Sequence, residues 1–133
     1  MSNPSKDHTG SGGILRLFKA MGYSLAGLRH AMLHEAAIRD ELIAMAILVP
    51  ISIFLPVPNT ERLVLVLSMM LVVLIELVNS ALEAAVDLIS LERHPLAKTA
   101  KDLASASVLV AVLISVLCWA VIAGPVVIRW FRQ

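Results

Sequence analysis

The chain has 133 residues, of which 59% are hydrophobic, 16% charged and 5% aromatic, with a formal net charge of +1. A mean hydropathy of +0.86 excludes an ordinary soluble domain and points to an integral membrane protein made mostly of helices. The small net charge excludes a nucleic-acid footprint. The lone Cys118 excludes an intrachain disulfide and a cysteine metal cluster.

Residues 1–13, MSNPSKDHTGSGG, read as a flexible polar tail with no cleavable leader. The neighbouring TGSGGILRLFK has glycines but lacks the P-loop spacing, so no standard nucleotide motif is present. Over about 14–33, apolar residues recur at Ile14, Phe18, Met21, Leu25, Leu28 and Met32, alternating four and three apart. That is one stripe of a helix, and Arg16, Lys19 and Arg29 lie off it, which predicts a basic amphipathic helix on a membrane surface. Gly22 and Gly27 weaken it and mark a possible break.

HEAAIRDE, residues 34–41, is densely charged, and the uncharged run that follows, 42–55, has Pro50 as a candidate kink. That run is too short for ~30 Å of hydrocarbon at 1.5 Å per residue, so a first span over about 36–55 must recruit the preceding turns. PVPNTER, residues 56–62, reads as a turn. A second span covers about 62–91, a polar loop ERHPLAKTAKD covers 92–102, and a third span covers about 102–128, with Trp119 and Trp130 toward its far end as interface anchors. Lys6, Arg16, Lys19, Arg29, Arg39, Arg93, Lys98 and Lys101 fall on one side, and Arg62, Arg129 and Arg132 on the other. The first side is therefore cytoplasmic, with the N-terminus inside. The expected fold is all-α: a surface helix plus three transmembrane helices in a single domain, 14–133.

The chemistry concentrates in ELVNSALEAAVDLI, residues 76–89. At 100° per residue, Glu76, Asn79, Glu83 and Asp87 share an arc of about 80°. A carboxylate in the centre of a span costs up to ~3 kcal/mol, so such a stripe faces protein or a watery cleft and marks a functional site. An interhelical polar seam is the plainer reading, but acids alone would repel one another without cations or protons between them. Glu83 and Asp87 should approach the cytoplasmic interface, with Glu76 deeper and with Glu35, Lys101 and Asp102 nearby. Gathered carboxylates suit Mg²⁺ carrying nucleotide phosphates, with lysine and arginine taking the remaining phosphate charge. A desolvated Glu76 suits a general base. Together these residues suggest phosphoryl transfer to a hydroxyl held in the lipid, although a cation pathway would use similar groups. His30, His34 and His94 form no strong metal motif and are expected at the surface or interface, with His94 able to touch a nucleotide.

KAMGYSLAGLRHAMLHEAAIRDE, the core E-x-x-N-S-A-x-E-x-x-x-D, and the KD of TAKDLASASVL resemble the small prokaryotic integral-membrane diacylglycerol kinase family, over nearly all of residues 14–120. The resemblance implies a homotrimer with active sites shared between chains, in the bacterial cytoplasmic (inner) membrane, converting diacylglycerol and MgATP into phosphatidic acid. It implies Glu76 as the catalytic base with Asn79 beside it, and Glu35 and Glu83 as Mg²⁺ ligands. It places Arg16, Tyr23, Glu92, Arg93, His94, Lys101 and Asp102 near the ATP. Arg29, Glu41 and Ser105 would line the lipid site, and Asp87 would support it. Pro95 departs from the family pattern and should stiffen the loop. A related branch phosphorylates undecaprenol, so undecaprenol kinase is the second reading. A small oligomeric cation channel or carrier is a remote third.

Overall fold

The computed structural model describes residues 13–89 and 94–132. Its elements, in order, are α1 (Gly13–His34), α2 (Ala36–Phe54), α3 (Asn59–Ile89), α4 (Pro95–Ile122) and α5 (Gly124–Phe131). Every element among the described residues is helical, as composition and periodicity predict. The expected roles of Glu92 and Arg93, and the tail over residues 1–12, lie outside the described residues.

α1 runs unbroken through Gly22 and Gly27. A glycine costs only about 1 kcal/mol in a helix interior, too little to interrupt 22 residues otherwise rich in good helix formers. The helix ends by satisfying its last carbonyls. The Glu35 amide donates to Ala31 O at 2.8 Å. Arg39 Nη1 reaches back to the carbonyls of Met32 and Leu33, 3.3 Å each. Side-chain donors at a helix C-terminus take over where the backbone ladder stops. Glu35 itself is extended (φ −101°, ψ 114°) and makes no side-chain cap for α2, which leaves its carboxylate free for other partners.

α2 continues through Pro50 to Phe54. Arg62 then closes the turn. Its Nε donates to Ser52 O at 2.9 Å, Nη2 to Leu55 O at 3.1 Å, and Nη1 to Asn59 Oδ1 at 2.6 Å. The Ser52 carbonyl would otherwise go unpaired, since Pro56 has no N–H to give it, while Leu55 O also accepts from the Val57 amide at 2.8 Å. The turn is shorter than the expected 56–62, because α3 already begins at Asn59.

α3 has 31 residues and is about 46 Å long at 1.5 Å per residue. Its buried positions are Leu65, Ser68, Met69, Val72, Glu76 and Asn79, a single seam at helical spacing. α3 packs most extensively against α4, less against α2, and α1 packs chiefly on α2. Ser68 Oγ and Ser115 Oγ meet across the α3–α4 contact at 3.3 Å, and Ser68 also donates to Leu65 O at 2.8 Å. At the far end Leu55, Leu65 and Val126 form a buried cluster against Val57, Trp119 and Ile122.

Two further boundaries differ from the sequence expectation. The polar 92–102 segment is helical from Pro95 onward. His94 is the N-cap, its Nδ1 accepting from the Leu96 amide at 3.2 Å, and Pro95 occupies the first turn, where a proline's fixed φ and missing N–H are harmless. The third apolar run is not one helix to residue 128. α4 stops at Ile122 and α5 restarts at Gly124, since Pro125 cannot continue an α-helical ladder. Trp119 correspondingly joins the buried cluster, while Trp130 is exposed. α3 and α4 are each long and apolar enough to cross a membrane, and most of each is left unburied by the single chain. A soluble protein's core helix would bury that surface; here it faces lipid or another chain.

Candidate active site on the acidic face of α3

The predicted stripe is graded in depth. Glu76 is 7% exposed and Asn79 8%, both on the buried seam of α3. Glu83 is half-buried and Asp87 exposed. One helix face thus carries carboxylates from the protein interior out to water. Asn79 Nδ2 donates to Glu83 Oε1 at 3.3 Å, one turn along. The Asn79 Oδ1 is buried and has no partner. An unpaired buried acceptor costs on the order of 1–3 kcal/mol, which a bound donor would recover.

Glu35, at the α1–α2 junction, and Glu83 are the carboxylates whose charges act on Glu76. Glu76 in turn acts on Glu41. The α1–α2 junction, α2 and α3 therefore direct acids toward one region. Like charges gathered in one region favour a cation or a proton among them. Glu35 and Glu83 are oxygen donors of the kind that hold Mg²⁺ when phosphates complete the sphere. No cluster of three or more protein metal ligands occurs among the described residues.

At the water-facing end, Lys101 Nζ pairs with Asp87 Oδ1 at 2.5 Å and joins α4 to α3. Asp102 is engaged by Lys98 Nζ at 2.7 Å, an i,i+4 pair within α4. That pair exists because the segment is helical, which the loop expectation missed; spacing of four between Lys98 and Asp102 was the available signal. His94 is exposed, its Nδ1 occupied by the helix cap.

Arg16, Tyr23 and Arg29 lie on exposed faces of α1, with Tyr23 77% exposed. Ser105 is exposed on α4. No hydrogen bond joins Arg29, Glu41 and Ser105 within one chain among the described residues. Glu41 does line a cavity of about 210 Å³ between α2, α3 and α4, with Leu48, Met69, Val72, Val112 and Ser115. The cavity wall is almost wholly apolar, and Glu41 Oε2 is buried without a partner. Sequence reasoning missed the cavity, Arg62 and the Ser68–Ser115 contact. Arg62 alone left a signal, as a cation beside a proline-rich turn.

A helical, lipid-facing chain with a buried-to-exposed acidic line is a membrane protein with a polar reaction or transport site. Residues 22–123 match the family model described as prokaryotic diacylglycerol kinase. A diacylglycerol kinase of Escherichia coli is 44% identical over 110 residues, covering 83% of this chain and 90% of that protein. One from Pseudomonas aeruginosa is 43% identical over 113 residues, covering 85% and 92%. One from Helicobacter pylori is 41% identical over 107 residues, covering 80% and 84%. The chain belongs to the prokaryotic diacylglycerol kinase family. Arg16 precedes the residues matched by the family model, and α5 follows them.

Proposed function

We propose that the chain is a lipid kinase that transfers the γ-phosphate of ATP to the hydroxyl of diacylglycerol, giving phosphatidic acid. The observation that carries this reading is Glu76, a carboxylate buried on a membrane-grade helix at the inner end of an acidic line that surfaces at Asp87 and Lys101. A soluble acceptor would not require a base at that depth; a lipid hydroxyl would.

Glu76 accepts the proton of the lipid hydroxyl as its oxygen bonds to the γ-phosphorus, and the bond to the β–γ bridging oxygen breaks to release ADP. Asn79 sits one turn from Glu76, with its Oδ1, an acceptor only, buried and unpartnered beside the base. Glu35 and Glu83 would hold Mg²⁺, which when bound offsets phosphate charge. Lys101, released from Asp87, offers a cation to the same phosphates, and His94 and Asp102 stand at the same end of α4. The apolar cavity beneath Glu41 suits an acyl chain, with Glu41, Arg29 and Ser105 toward the headgroup.

In this reading residues 14–133 form one membrane kinase domain. α2, α3 and α4 all span the bacterial inner membrane, with α1 on the cytoplasmic surface and the N-terminus inside. α2, at 19 residues or about 28 Å, falls a little short of ~30 Å of hydrocarbon and carries Arg39, Asp40 and Glu41 near its start, so that end is placed at the interface. Three chains assemble and share their sites.

The test is a phosphorylation assay in mixed micelles with γ-labelled ATP and Mg²⁺, offering diacylglycerol and undecaprenol separately. Label chiefly in phosphatidic acid supports the proposal. Label chiefly in undecaprenyl phosphate keeps the chemistry and replaces the substrate. Label in neither lipid, from folded protein, removes the kinase reading.

A further inference from the structure

His30 and His34 lie one turn apart in the last two turns of α1. Both are exposed. Their rings stack with centroids 4.2 Å apart and planes 21° from parallel. His34 Nδ1 is 2.9 Å from the carbonyl oxygen of His30. A carbonyl can only accept, so in the neutral ring the Nδ1 carries the proton and Nε2 keeps its lone pair. That is the arrangement in which a histidine ligates a metal: one ring nitrogen held by a backbone carbonyl, the other bare.

We propose that His30 and His34 form a two-imidazole chelate for a borderline divalent transition ion such as Zn²⁺, Ni²⁺ or Cu²⁺, separate from the carboxylate site on α3. Histidines at i and i+4 on one helix face can reach a shared metal, but the stacked, near-parallel rings do not aim their lone pairs at one point, so one exposed imidazole must turn about its side-chain torsions to close the chelate. Imidazole nitrogen selects these ions over Mg²⁺, which prefers oxygen. The pair sits at the C-terminal, partially negative end of α1, which favours a cation. Water completes the coordination sphere, in keeping with the absence of a third histidine, cysteine or acid grouped there among the described residues. An ion bound here bridges the last two turns of α1 immediately before the extended Glu35, and so stiffens the junction that carries that carboxylate. The proposal concerns binding alone and stands whether or not the kinase reading does.

The experiment uses the full chain in detergent micelles, free of any histidine tag, with Mg²⁺ in large excess. Each ion is titrated against a chromophoric chelator. The expected result is one ion per chain, with Cu²⁺ binding more tightly than Ni²⁺ or Zn²⁺. His30→Ala and His34→Ala should each weaken binding on the order of 100-fold, because the second imidazole then no longer binds intramolecularly. Both changes fall on an exposed helix surface and raise helix propensity, so folding is not at stake. His94→Ala should leave binding unchanged. Electron paramagnetic resonance of the Cu²⁺ form should show two nitrogen ligands in the parent and one in either variant. Absence of binding under excess Mg²⁺, or binding that survives both alanine variants, overturns the proposal.

Discussion

Glu76 and Asp87 are the same kind of group three turns apart on one helix, yet one is buried and the other is paired with Lys101 in water. Depth therefore separates their roles. Glu76→Gln keeps the volume and removes the charge, so the helix packing should persist while turnover falls by about 10²–10⁴-fold, the usual worth of a general base. Circular dichroism and the assay above check the two halves of that statement; turnover within a few-fold of the parent would remove Glu76 as base. Glu83→Gln leaves one carboxylate, Glu35, to hold the metal. Its expected signature is a Mg²⁺ activation curve displaced to higher concentration, or no activity at any concentration. An unchanged curve would mean the metal is held elsewhere.

At the scale of elements, the α2–α3 connection depends on Arg62, whose guanidinium serves two backbone carbonyls and the Asn59 side chain at 3.1 Å or less. Arg62→Ala should lower stability by about 2 kcal/mol, in the range for hydrogen bonds to a charged donor. The readout is the thermal midpoint in detergent. Specific activity well below that midpoint should be unaffected, because Arg62 lies at the opposite end of α3 from Asp87. Ser115→Ala, by contrast, removes one interhelical hydroxyl contact of 3.3 Å. Its expected cost is only about 0.6 kcal/mol, typical of such contacts between membrane helices. A cost as large as that of Arg62→Ala would show that the serine pair carries more of the α3–α4 packing than its geometry implies.

For the whole molecule, the surface itself is informative. Leu67, Leu74, Leu109, Leu113 and Leu117 along the middle of α3 and α4 are each more than half exposed on the single chain. Only hydrocarbon or neighbouring chains can cover such a belt. α1 packs chiefly on α2, so Tyr23 is carried away from its own α3 and points outward. If Tyr23 serves a nucleotide, the site is a neighbour's. Mixed assemblies of Tyr23→Ala and Glu76→Gln chains should then recover activity that neither variant shows alone. Failure to recover would mean each chain holds a complete site. Light scattering of the micelle-bound protein should give three chains per particle.

The helices and the acidic stripe were legible in the sequence because both are local. Apolar spacing of three and four sets a helix face, and four polar residues on one arc of an apolar helix have no other arrangement available. Two misses were local as well: the His94–Pro95 start of α4 and the Pro125 that follows its end at Ile122 are both written in the sequence. The others were not. Whether Lys101 finds Asp87, whether Trp119 is an anchor or part of a buried cluster, and where a cavity opens under Glu41 depend on how three separate helices pair. Period and composition specify which face a helix turns inward; only the packing of α2, α3 and α4 decides which residue meets it there.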